Sequence, residues 1–159
     1  RETDALHDAL KERLGTGPEE FVKVVGRWQD GAREAARRIK EMERDLAASI
    51  AREMADTEGS VLARRVIGAG PDMLKAIGKA VTEARPDAIV ALVGGAADPG
   101  GACFLVQAGQ GGPADVSGIG AKVRDAIGAK GGGRGRLFQG QGGTAGGEWS
   151  LGDDLDLAE

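Results

Sequence analysis

"AKGGGRGRLFQGQGG", residues 129–143, decides how the chain reads. Glycine loses more backbone entropy on folding than any other residue, so a cluster of it persists where a Cβ would be in the way. Something is therefore expected to approach this backbone closely. The segment interleaves its glycines with Arg134 and Arg136, the ring of Phe138 and the amide of Gln139. It has no Gly-Lys-Ser/Thr ending and so is not a P-loop. Two readings stand level on the residues alone. In one, RNA docks here: arginines reach phosphates, Phe138 or a guanidinium plane stacks on an unpaired base, and Gln139 bonds base edges or 2′-hydroxyls. In the other, this is a glycine-rich strand turn packed tightly against a helix, with its arginines merely solvated.

Charge supports a localised patch. The formal net charge is −4, yet residues 122–136 hold five bases (Lys122, Arg124, Lys130, Arg134, Arg136) against one acid, Asp125. Residues 148–159 hold five acids and no base. For binding, distribution matters more than the sum. A second glycine-rich stretch, "GQGGPADVSG" at 109–118, follows a strand pattern and opens a helix pattern. Its amides could hold an anion, but its spacing is not that of a dinucleotide fingerprint, and a tight connector is the favoured reading.

Upstream the composition breaks near residues 57–60: only 4 of the 28 glycines (Gly15, Gly17, Gly26, Gly31) precede it. The expected organisation is a helical part over 1–58 and a globular part over 59–159. In the first, Leu6, Leu10 and Leu14 mark a short amphipathic helix, and "PEEF" starts a second and longer one. Its apolar positions Phe21, Val25, Trp28, Ala32, Ala35, Ile39, Met42 and Leu46 are spaced 4, 3, 4, 3, 4, 3, 4, a heptad seam that drifts afterwards to Ile50 and Met54. The first helix is too short to cover this stripe. A partner is favoured, either a second copy or the rest of a longer polypeptide, while the mixed charges along the helix read as a solvated face.

The globular part reads as strand 61–70, helix 71–84, strands 87–96 and 101–109, and helix 113–130, followed by the glycine segment and an acidic tail. That order predicts an α/β fold of the α+β kind: a helical hairpin or long heptad helix, then a small mixed sheet with helices on one face. The strand-to-strand turn rules out a doubly wound dinucleotide fold.

Little here suits catalysis. One histidine, His7, and one cysteine, Cys103, far apart in sequence, supply no zinc spacing, and no serine sits in a nucleophile elbow. Cys103 lies in an apolar strand run and reads as buried filler. No catalytic residue, metal or cofactor is expected. No apolar run is long enough to span a bilayer, and the charged first residues are unlike a signal peptide, so a cytoplasmic location is expected.

"GAKGGGRGRLFQGQGG" resembles the signature closing the C-terminal, DHH-associated domain of alanyl-tRNA synthetases: glycines and a basic residue, a spacer, Ala-Gln or its equivalent, then further glycines. The Pro-Glu-Glu helix start, the Trp-bearing heptad helix "RWQDGAREAARRIKEMERDL" and the strand-helix-strand-strand-helix body occur in the family's order. The spacer departs from the family: Gly135-Arg136 stands where many members have Pro-Asp, and Phe138 where alanine is customary. The resemblance implies a non-catalytic domain that grips the outer corner of tRNA, tRNA-Ala above all, and supports aminoacylation and editing by upstream domains. In some members the helical part dimerises the enzyme. Carried onto this chain, it implies RNA contacts at Lys130, Gly131, Gly132, Gly133, Arg134, Arg136, Phe138 and Gln139, with Lys122 and Arg124 adjoining. The alternatives are the single-strand-binding domain of DHH phosphoesterases, whose Gly-Gly-His-x-x-Ala-Ala-Gly element is absent, and an interaction module that binds no nucleic acid.

Overall fold

The computed structural model describes residues 5, 8, 9, 11–13, 15, 17, 20–95 and 101–144. The Leu6, Leu10 and Leu14 stripe, His7, Pro18 and the acidic tail from 145 onward lie outside them. Helix α1 (Phe21–Ala55) runs 35 residues without a proline. Ion pairs at helical spacing line it, among them Arg37 to Glu34 at 3.0 Å and Arg38 to Glu34 at 3.2 Å, all exposed. Each contributes only a few tenths of a kcal/mol, as a solvated face should.

The chain divides into two compact units, Arg1–Met42 and Glu43–Glu159, and the division falls inside α1. This differs from the boundary expected at 58. The reason lies in the drift of the heptad: Ala47, Ile50, Ala51 and Met54 are buried with Leu62 and Val66 in the core of the second unit. After the half-buried Phe21, the seam before that point is exposed, with Trp28 at 59 %, Met42 at 62 % and Leu46 at 53 %.

In the second unit, α1 is followed by β1 (Val61–Ile67), α2 (Pro71–Ala84), β2 (Ile89–Gly95), β3 (Ala102–Ala108), α3 (Ser117–Ile127), β4 (Lys130–Arg134) and β5 (Leu137–Gln141). The five strands form one sheet in the order β1-β2-β3-β5-β4. β1 is parallel to β2 and every other pair is antiparallel, giving the expected mixed α/β sheet. Pro71 opens α2 at a position where its missing N–H costs nothing, and Asp72 sits in the first turn at the positive end of the helix.

Helices cover both faces of the sheet, which corrects the one-sided arrangement expected. β2 and β3 are apolar at every position from Ile89 to Val93 and from Ala102 to Val106, and strands of that kind need two covers. Val90, Leu92, Cys103 and Leu105 pack against Leu74, Ile77 and Val81 of α2. Ala91, Val93, Phe104 and Val106 pack against Val123 and Ile127 of α3 on the other side. Each large apolar side chain so buried contributes on the order of 1.5–3 kcal/mol.

Two termini fix where these helices sit. Just before α3, whose N-cap is Val116, the Asp115 carboxylate accepts from the Ser117 amide at 3.0 Å and hydroxyl at 2.6 Å and so fixes the entry to the helix. It ends at Gly128, which adopts the left-handed conformation at φ 67°. Arg85, just past α2, donates to the carbonyls of Ala55 at 3.2 Å, Thr57 at 3.0 Å and Gly59 at 2.8 Å, tying down the link between α1 and β1. Cys103 is buried, with its thiol donating to the Ala69 carbonyl at 3.4 Å. Burial pushes that thiol up from its ordinary value, as suits packing and not reactivity.

Candidate nucleic-acid interface

The glycine-rich segment folds as a β-hairpin. Arg134 pairs with Leu137, leaving Gly135 and Arg136 as a two-residue turn. Gly135 has φ +63°, which the primed turns that join twisted strands require at their first central position. β5 joins this hairpin to β3, and β4 is the edge of the sheet.

One face of the hairpin is closed, and its glycines explain how. A Cβ on Gly131 would stand 2.5 Å from the Gly140 Cα, and one on Gly133 2.5 Å from the Phe138 Cα. One on Gly140 would stand 2.7 Å from the Phe104 ring, and one on Gly120 of α3 2.6 Å from the Phe138 Cβ. What approaches these glycines is the protein itself, so for them the strand-turn reading holds. Gly132 alone of the three consecutive glycines in β4 has open space where its Cβ would be.

Phe138 lies on this closed face at 6 % exposure, its ring centroid 6.0 Å from that of Phe104. It is a core residue and cannot stack on a base, which corrects the role expected of it. Arg136 is corrected as well. Its Nη1 donates to the carbonyl of Gly109, to Gly112 at 2.8 Å and to Pro113 at 3.2 Å, so the guanidinium clamps the 109–116 connector. The Val116 amide in turn donates to the Gly135 carbonyl at 2.9 Å. Residues 109–118 are thus the tight connector, and Asp115 already holds the Ser117 amide that an anion would need.

The opposite face is open. Strand alternation places Lys130, Gly132 and Arg134 of β4 with Leu137, Gln139 and Gln141 of β5 on the side shared with Leu105 and Cys103 of β3. That is the α2 side. α2 packs over β2 and β3, while α3 covers β4 and β5 from beneath. No described helix of the second unit therefore lies over the hairpin on its α2 side. Lys130 and Arg134 are exposed, and neither has an ion pair or side-chain hydrogen bond among the described residues. Leu137, the cross-strand partner of Arg134, is 40 % exposed.

Lys122 and Arg124 belong to α3, on the other side of the sheet, so the five bases that the sequence groups together do not form one patch. Arg124 donates through Nε to Asp125 at 2.7 Å. This hydrogen bond raises the arginine's pKa and holds the Asp125 carboxyl below its usual range. The candidate face is thus narrower than expected in sequence, keeping Lys130, Gly132, Arg134 and Gln139 together.

Three residues beside this candidate face were not read from the sequence: Lys75 on the first turns of α2, Leu137 and Gln141. A cleft of about 240 Å³ joins Lys75 to the hairpin, lined by Pro71, Leu74, Lys75, Phe104, Leu105, Lys130, Gln139, Gly140 and Gln141. Alternation at 137, 139 and 141 was the available signal for β5. Glycines at 131, 132 and 133 hid its counterpart in β4.

No family model matches the chain, and no curated protein matches it. Among solved structures, the fold is similar to the C-Ala domain from Aquifex aeolicus alanyl-tRNA synthetase, with 16 % identity and a TM-score of 0.47, over 62 % of this chain and 82 % of that one.

Proposed function

We propose that this chain is a tRNA-binding domain of the alanyl-tRNA synthetase C-terminal type, acting in the cytoplasm and docking the outer corner of a tRNA, tRNA-Ala above all, on the open face of its terminal hairpin. One observation carries the reading: Lys130, Arg134, Gln139 and Gln141 share a sheet face that no described helix of their unit covers. Two unpaired cations about four residues apart along an edge strand span roughly 13 Å, a reach suited to successive phosphates. The amides beside them supply hydrogen bonds that arginine and lysine alone do not. The glycine signature that the chain shares with the synthetase family supports the same reading, since its glycines build the hairpin that presents this face. Aminoacylation and editing belong to other domains in this view, and the domain itself joins nothing.

The test is a titration of bulk tRNA and of a polyuridine strand across a salt series. Tighter binding to tRNA, with a salt slope that falls by about 2 in Lys130→Ala with Arg134→Ala, supports the reading. A preference for polyuridine would support the phosphoesterase-type alternative, and absence of binding to either would leave an interaction module.

The exposed seam of α1 serves, in the same proposal, as a homodimer interface or as a dock for the rest of a synthetase. Its support is the apolar stripe of Trp28, Ile39, Met42 and Leu46, each more than half exposed among the described residues. Sedimentation of Ile39→Asp beside the parent protein separates the two: a parental dimer that becomes monomeric supports self-association, and two monomers leave docking.

A further inference from the structure

We infer that the cleft between the first turns of α2 and the hairpin seats one unstacked nucleotide, base inward and phosphate outward. The choice of ligand class rests on the RNA-binding reading above; the site itself rests on the cleft. Its walls differ in chemistry in the way a nucleotide does. Leu74 and Leu105, on the α2 side of the sheet, give the cleft an apolar floor for the face of a base. Gln139 and Gln141 stand on one side, two positions apart on β5 and so on the same face. Neither amide has a hydrogen bond to any described residue. A glutamine offers both a donor and an acceptor, the pattern that base edges present in return. Lys75 and Lys130 flank the cleft from opposite elements, helix and edge strand, and neither has an ion pair among the described residues. Asp72, the acid of the same helical turn, is not among the lining residues.

The volume argues for one base and not more. At about 240 Å³ the cleft lies below the range of roughly 300–1,000 Å³ usual for drug-sized ligands, and it is partly open to solvent. A paired and stacked base cannot enter it, because its edge is already used and its faces are covered. The cleft therefore reads an extruded or loop nucleotide, while Arg134, outside the cleft, contacts backbone only.

Titrating the full chain with uridine and adenosine 5′-monophosphates, beside inorganic phosphate, tests this by amide chemical shifts. The expected result is saturable shifts at Leu74, Lys75, Gln139 and Gln141 with at least one nucleotide, and weaker effects confined to Lys75 and Lys130 with phosphate. Gln139→Leu with Gln141→Leu should weaken nucleotide binding at least about fivefold. Lys75→Ala, on the other wall and exposed, should weaken both ligands and guards against a hairpin variant that fails to fold. Shifts no larger with nucleotides than with phosphate, or located elsewhere, overturn the inference. If tRNA binding then still depends on Lys130 and Arg134, the function proposed above stands without the cleft. Nucleotide in the cleft without tRNA binding gives the reverse.

Discussion

The two faces of one hairpin, residues 130–141, differ in kind. The face toward α3 is where Phe138 is buried and where Gly131, Gly133 and Gly140 lack room for a Cβ. The face toward α2 carries Lys130, Arg134, Gln139 and Gln141 and has open space at Gly132. The same signature thus has two parts: its glycines and aromatic hold the hairpin against the body, while Lys130, Arg134, Gln139 and Gln141 lie on the open face. Arg134 and Arg136, only two residues apart, fall on either side of that division, one unpaired and the other clamped on three carbonyls.

The largest effect should come from the closed face. Phe138→Ala removes a buried ring and is expected to cost about 3–5 kcal/mol in denaturant unfolding. A loss below about 1 kcal/mol would mean that the ring is not the anchor assigned here. Arg136→Ala should cost about 1.5–3 kcal/mol by leaving part-buried carbonyls without a charged donor, while the salt slope of RNA binding stays that of the parent. If the slope instead falls and stability holds, the two arginines have been assigned to the wrong sides.

Neighbouring glycines sharpen the contrast further. Gly131→Ala must push the strands apart and is expected to cost about 1–3 kcal/mol, whereas Gly132→Ala should stay within about 0.5 kcal/mol of the parent. Equal costs would contradict the close approach on one side and the free space on the other.

The smallest effect concerns the start of α3. Hydrogen bonds from the Ser117 hydroxyl, and then from its amide, hold the Asp115 carboxyl below the ordinary carboxylate value. The Asp115–Ser117 contact is therefore fully present above that ordinary value and is lost as pH falls through the depressed one. Amide exchange in the first turn of α3 should accelerate over that acid window. Asp115→Ala should show the faster exchange already at neutral pH.

Much of the fold was legible because its signals were local. α2 was readable to both ends from Pro71 and its apolar period, and the apolar runs of β2 and β3 announced strands. Those same runs, apolar at every position, also announced a sheet covered twice, a signal the one-sided expectation overlooked. The hairpin was harder: three consecutive glycines carry no alternation, so β4 had no pattern to read. Arg134 and Arg136 were indistinguishable in sequence because the difference is made by carbonyls 23 to 27 positions upstream of Arg136. Lys75 was invisible for a similar reason, since it meets the hairpin only through the crossing of α2 over β3. For Lys122 and Arg124, closeness in sequence misled, because a helix and the following strand lie on different layers.

The central claim is that RNA meets the α2 side of the hairpin and not the α3 side. Charge reversal on each side tests it directly: Lys130→Glu with Arg134→Glu against Lys122→Glu, each titrated with tRNA at two salt concentrations. The account predicts that the first loses at least about tenfold in affinity and most of its salt dependence, while the second stays within about twofold of the parent protein. Equal losses from both sides, or a larger loss from Lys122→Glu, would contradict it.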